Sequence, residues 1–361
     1  SNYLKTDSIQ KKENAKKALT EAEKVKRYSA NAYGKRKDPL TILTYGGYAN
    51  EEGINATARV LEDEGIITSN EDNIFRNMLN SYRRFETDEI PNAKVQVTIN
   101  NKTYDYLSNK EGYIEVNQNI EIPKNLSDQT KWMPIKYDLL ANNNIIYSTQ
   151  AQVMQPSQNA EYGIITDMDD TVIDTGLSSR FKYKVVINTF FKRSNDRIPL
   201  DGAVKFYNML HKGYSQKYCN PFFYLSNSPW NLHSYLINFL DYHDFPKGTL
   251  LLRDIGFENE KKDSFLERNK FLKITHILET YPNLPFILIG DAADIDYDIY
   301  IEVARRYPDR VLAIYIRTVQ DEKKMKVVEK IIESTTDVEV QLIENTDLAI
   351  SHAKANGLIK P

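Results

Sequence analysis

A single cysteine, Cys219, stands among 361 residues, which excludes an intrachain disulfide. The five histidines are scattered, so no Cys/His cluster for structural zinc is available. No apolar run approaches the roughly 20 residues a membrane-crossing helix needs, and no transmembrane helix is expected. Neither sign of charge dominates: 47 Lys and Arg face 50 Asp and Glu, and a pI near 6.1 argues against a nucleic-acid partner. The Gly-x4-Gly-Lys-Ser/Thr loop that cradles a triphosphate is also missing, which disfavours kinase or ATPase chemistry. What remains is 41% hydrophobic, 27% charged and 11% aromatic, with a mean hydropathy of −0.54. That is a soluble globular chain long enough for two ordinary domains. It opens Ser-Asn without Met, which reads as a trimmed start that would hide any upstream signal or anchor.

The texture changes twice along the chain. Residues 1–38 hold eleven Lys and Arg against five Asp and Glu and read as a solvated basic helical segment. Its apolar stripe of Ile9, Leu19 and Val25 is too thin for firm membrane insertion. Residues 39–157 consist of alternating runs such as KVQVTI-NN-KTYDYL and IKYDLLA-NNN-IIYSTQAQV. Alternation broken by Asn-rich turns signals hairpins, and an antiparallel β-sandwich is expected, interrupted by one helix over 71–85. It holds no paired carboxylates and no nucleophile with a base, so a scaffold or interaction module is the expected role. Residues 158–361 alternate unbroken apolar strands (YGIIT, PFFYLS, TLLLR, FILIG, VLAIYIR, VEVQLI) with amphipathic helices. This is the α/β texture of a parallel sheet covered on both faces, whose function belongs at the carboxyl ends of the strands.

Those ends carry residues suited to one reaction. YGIIT runs into Asp167-Met168-Asp169-Asp170-Thr171, PFFYL into Ser226-Asn227-Ser228, and FILIG into Asp291, with Asp296 five residues on; Lys270 is placed at the opening of the helix before that last strand. Phosphoryl transfer needs an in-line nucleophile, a proton donor for the leaving oxygen, and positive charge around the equatorial oxygens. Residues i and i+2 of an extended turn point into one pocket, so Asp167 is the candidate nucleophile, forming an aspartyl-phosphate. Asp169 is the candidate acid and base. Clustered carboxylates repel a phosphate dianion unless a cation stands between them, and oxygen-only ligands select a hard ion. Mg²⁺ held by Asp167, Asp169, Asp291 and Asp296 is the expectation. Ser226, Asn227, Thr171 and Lys270 are the expected phosphate-binding groups. An Asp-rich turn alone is commonly a helix cap; the order of the four segments lifts this one above that.

The segments DMDDT, Ser226, Lys270 and GD followed by Asp296 resemble the four motifs of haloacid dehalogenase phosphatases. More narrowly, TDMDDTVIDTG, FFYLSNSPWNL, GTLLLRDIG, FILIGDAADIDYDIY and YPDRVLAIYIR resemble the catalytic domain of the actin-patch-associated phosphatidate phosphatase family. The likeness extends upstream through YGGYA, ARVLED and KEGYIEV. It implies a Rossmann-like catalytic domain and Mg²⁺-dependent hydrolysis of phosphatidate to diacylglycerol. By position it implies Asp167 as nucleophile, Asp169 as acid/base, Ser226 and Lys270 as phosphate binders and Asp291 as metal ligand. The chain departs from the family pattern at Ala292-Ala293, where a Ser-Gly pair is usual, at Tyr297-Asp298 and at Asn269. Only 54 residues separate Thr171 from Ser226, and 43 separate Ser226 from Lys270, so no large cap is expected over the site. An open pocket suits a phosphomonoester presented on a surface, such as a phospholipid headgroup, and peripheral membrane contact is compatible with that. Trp230, Leu232, Tyr235 and Phe239 read as a core stripe, with Trp230 and Tyr235 the candidates for touching acyl chains.

Overall fold

A computed structural model describes residues 39–62, 90–168, 200–230, 233–253, 262–292, 296–319 and 321–361. The basic segment 1–38, the helix expected over 71–85, and Asp169, Asp170 and Thr171 lie outside the described residues.

Seven strands come first: β1 (Leu40–Ala49), β2 (Gly53–Glu62), β3 (Lys94–Ile99), β4 (Lys102–Leu107), β5 (Tyr113–Asn119), β6 (Lys131–Ala141) and β7 (Asn144–Gln155). The Asn-rich turns behave as their chemistry dictates. Asn100 and Asn101 adopt φ of 47° and 63°, and Asn142 and Asn143 adopt 51° and 62°, the left-handed pair that lets a two-residue turn match the twist of its strands. They close the β3–β4 and β6–β7 hairpins. The expected sandwich does not form. The strands join one sheet in the order β4-β3-β6-β7-β1-β2-β5, not two facing sheets. It rolls until its edges meet, where the Tyr106 hydroxyl of β4 donates to Gln118 Oε1 of β5 at 3.2 Å. Ile54, Val60, Val97, Ile135 and Leu139 fill the interior. The pairing that defeats the antiparallel expectation is β1 against β7, which is parallel.

The second sheet contains β8 (Gly163–Asp167), β9 (Phe222–Pro229), β10 (Thr249–Arg253), β11 (Phe286–Asp291), β12 (Val311–Arg317) and β13 (Gln341–Ile343). All its pairs are parallel, and the order is β10-β9-β8-β11-β12-β13. Numbered from β8, that is 3-2-1-4-5-6, the doubly wound order whose direction reverses between the first and fourth strands. Successive residues of each strand point to opposite faces. Ile164, Phe222, Tyr224 and Tyr315 pack under α1 (Leu200–Lys212), α2 (His233–Tyr242) and α6 (Thr346–Ala355). Ile165, Phe223, Leu288 and Ile316 pack under α3 (Lys262–Thr280), α4 (Asp296–Arg306) and α5 (Glu322–Ser334). No helix of the described residues is long and apolar enough to cross a membrane.

The end of β1 binds the two sheets together. Gly46 at φ 72° and a register shift between Thr44 and Gly47 bend the strand. A Cβ on Gly47 would collide with the Asn55 carbonyl and lie 2.7 Å from Ala56 Cα, so only glycine fits that approach. Beyond the bend, the Thr249 hydroxyl donates to Gly47 O at 2.9 Å, Tyr281 to Ala49 O at 3.0 Å and Asn50 Nδ2 to Thr280 O at 2.8 Å, while Tyr48 Oη meets His276 Nδ1 at 2.7 Å. Trp230, one candidate for acyl-chain contact, is 4% exposed and stacks on Tyr45 with ring centroids 4.6 Å apart.

His233 closes this aromatic group. Burial pushes its imidazole down to about 4, partly offset by a hydrogen bond to the Tyr45 backbone. The folded chain therefore holds it neutral while the unfolded chain protonates it near the ordinary pKa of about 6.5. Stability from this residue is present in full above that pH and is lost as pH falls towards 4, by on the order of 3 kcal/mol. Thermal unfolding midpoints of wild type should fall more steeply across this window than those of His233→Gln.

Candidate functional site

β8 and β11 flank the reversal point of the parallel sheet, and each ends on an aspartate. Asp167 is the last residue of β8, opposite Leu225 of β9, and Asp291 is the last residue of β11, opposite Arg317 of β12. The sequence placed Lys270 at a helix opening. It lies instead in the interior of α3, because the helix-forming run KDSFLERN starts that helix at Lys262. From there Lys270 Nζ sits 3.1 Å from Asp167 Oδ1 and 2.6 Å from Asp296 Oδ1. These side chains are 3% exposed for Lys270 and Asp167 and 0% for Asp296, so one ammonium is shared by two buried carboxylates. Such an arrangement is strong when every member is satisfied and costly when one is removed.

Asp296 is satisfied on both oxygens. Its Oδ2 accepts the backbone N–H of Asp291 at 3.1 Å, and it opens α4, where a carboxylate also meets the positive end of the helix. Gly290 makes room for this. A Cβ there would collide with Asp296 Oδ2 and stand 2.7 Å from its Cβ. The GD of FILIGD thus has a steric reason for its glycine.

Ser226 is buried beside Asp167, one residue beyond Leu225, and Asn227 is half-buried. Met168 N–H donates to Leu225 O at 2.7 Å and holds the two strand ends together. The structure therefore brings Asp167, Lys270 and Asp296 into direct contact, joins Asp291 to Asp296 through its backbone, and sets Ser226 and Asn227 on the neighbouring strand. Asp169 and Thr171, the remaining predicted residues, are not among those described. Ala292 is fully buried and its N–H donates to Arg317 O at 2.9 Å, so a small apolar residue suits that position.

Sequence reasoning missed Arg317. Its Nη2 lies 3.6 Å from Asp291 Oδ2, with the arginine side chain 57% exposed and the aspartate 8%. The available signal was its position at the end of VLAIYIR, the strand after FILIG, where a charged residue reaches the same rim.

Among the described residues the carboxylates outnumber the cations: Asp167, Asp291 and Asp296 face Lys270 and the half-solvated Arg317. Oxygen donors and residual negative charge at a strand-end crevice fit a hard divalent ion. Among the described residues no three His, Cys, Asp or Glu side chains converge as a ligand set; Asp169, expected to supply one, is outside them.

Fold and site define a doubly wound α/β protein with a buried lysine–carboxylate network at the point where strand order reverses. Residues 162–318 match the family model described as "Phosphatidate phosphatase APP1, catalytic domain". The phosphatidate phosphatase APP1 of Saccharomyces cerevisiae is 31% identical over 182 residues, covering 47% of this chain and 30% of that protein. An uncharacterized protein of Schizosaccharomyces pombe is 24% identical over 279 residues, covering 76% of this chain and 41% of its own length. The chain thus spans less than half of either relative. Among solved structures, a carbohydrate acetylesterase from Xanthomonas citri is similar at 10% identity, covering 88% of this chain and 75% of its own, but its TM-score of 0.31 carries no argument.

Proposed function

We propose that this chain is a Mg²⁺-dependent phosphomonoester phosphatase of the haloacid dehalogenase type, acting on phosphatidate to give diacylglycerol and phosphate. The observation that carries the reading is Lys270 clamped between Asp167 and Asp296 at the strand-order reversal, within the segment that matches the phosphatidate phosphatase catalytic-domain model. Residues 158–361 are the catalytic domain in this reading, residues 39–157 an accessory domain, and residues 1–38 a basic helical lead-in.

Asp167 attacks phosphorus, and the P–O bond to the glycerol oxygen breaks as the aspartyl-phosphate forms. This splits one difficult displacement into two easier ones. Asp169 gives its proton to the departing alkoxide, then takes one from the water that hydrolyses the acyl phosphate. Lys270 fixes the unreactive oxygen of Asp167 so that the other faces the substrate, and Asp296 holds Lys270 in that place. Ser226, Asn227 and Thr171 donate hydrogen bonds to the phosphoryl oxygens. Asp167, Asp169 and Asp291 would hold the magnesium, with Asp296 ordering Asp291 from behind. When bound, the ion offsets the charge of substrate and carboxylates.

A substrate panel with Mg²⁺ tests this: phosphatidate in mixed micelles against sugar phosphates, nucleotides and phosphopeptides. Phosphate release from phosphatidate is expected. Release from soluble or protein-borne esters alone would overturn the lipid assignment, and release from none would point to a catalytically silent scaffold.

A further inference from the structure

β9 and β10 do not run in step. Leu225 pairs with Leu251 and Pro229 pairs with Arg253, so β9 takes four steps where β10 takes two. The surplus residues include Ser226 and Asn227, and bulges of this kind re-aim side chains beside active sites. A bulge holds its shape only if both ends are fixed. The upstream end is fixed within the parallel sheet by the Met168 N–H bond to Leu225 O. The downstream end is fixed by another part of the chain. Trp230 follows the bulge directly and stacks on Tyr45 of β1, rings 26° from parallel. His233 completes the group, its ring 5.2 Å from that of Tyr45 and 5.9 Å from that of Trp230. Tyr45 in turn stands on the bend of β1, which the Thr249 hydroxyl pins through Gly47 O.

We infer that Tyr45 is a positioning residue for the phosphate site: the rolled sheet completes the enzyme by clamping, through Trp230, the far end of the Ser226–Asn227 bulge. This rests on the proposed phosphate-binding role of that bulge. The rolled sheet is then part of the catalytic apparatus, where its sequence suggested a scaffold or interaction module. Aromatic stacking adds directional attraction to apolar burial, so an aromatic ring at position 45 should matter more than bulk alone.

The test measures inhibition by inorganic phosphate, together with kcat, in the full chain with Mg²⁺. Tyr45→Leu should keep the fold and raise the phosphate inhibition constant roughly ten-fold, with a smaller change in kcat. Tyr45→Ala should do the same or more, and Tyr45→Phe should match wild type. Tyr281→Phe removes the bond to Ala49 O elsewhere in the same contact; it should lower the thermal midpoint and leave the inhibition constant alone. An unchanged constant in Tyr45→Leu, or an equal rise in Tyr281→Phe, overturns the inference. Ser226→Ala separates the two levels: a rise there without one in Tyr45→Leu defeats the positioning role alone, and no rise in Ser226→Ala defeats the reading of the bulge itself.

Discussion

Under the proposed mechanism, Asp167→Asn should stop phosphate release, by roughly three orders of magnitude or more, because an amide oxygen does not form the acyl phosphate. The fold survives the change. Lys270 loses one of two carboxylates and keeps the closer, Asp296 at 2.6 Å, so no buried charge is left unpaired. Circular dichroism and the thermal midpoint should therefore stay near wild type while turnover vanishes. A variant that unfolds, or one that keeps a tenth of wild-type turnover, contradicts this account.

Lys270→Met has the opposite profile, losing stability and activity together. Lys270 is buried between Asp167 and Asp296, and its removal leaves two adjacent carboxylates without their cation. Breaking a buried pair from one side costs about 3–5 kcal/mol, a drop of roughly ten degrees in the thermal midpoint of a domain this size. The double variant Lys270→Met/Asp296→Leu removes one of the stranded charges. It should recover part of the lost stability and none of the lost activity, since Asp167 remains unheld. Recovery of turnover in the double variant would show that Lys270 acts on stability alone. Coupling of this kind is expected only for groups in contact.

The parallel sheet was the most legible part of the chain. YGIIT and FILIG are short apolar runs buried on both faces, and such runs announce themselves locally; VEVQLI, at the edge of the sheet, contributes only the three half-buried residues of β13. Asp167 and Asp291 were legible for the same reason: each is the first charge after such a run. The left-handed Asn pairs of the hairpins could be read from two residues each. What could not be read was closure. Alternation in β1 and β7 shows that each has a buried face, but not that Gly47 and Tyr48 pair in parallel with Val153 and Met154, a contact across about a hundred residues that turns the expected sandwich into one rolled sheet. Trp230 was ambiguous on the same ground. An aromatic residue after a strand end serves equally a core or a lipid surface, and its partner Tyr45 lies far away in sequence. Lys270 was expected at a helix opening, but its place within the helix depends on where α3 begins. Arg317 was passed over because a charged residue closing a strand is ordinary until Asp291 is seen beside it.

The proposed reaction passes through a covalent phosphoryl-enzyme on Asp167. Turnover of phosphomonoester substrate labelled in its phosphate, quenched in acid and followed by peptide mapping, tests it directly. The label should appear on the peptide carrying Asp167, be released by hydroxylamine as an acyl phosphate, and be missing from Asp167→Asn. Label on any other residue, or steady turnover with no labelled protein under conditions that trap acyl phosphates, would contradict it.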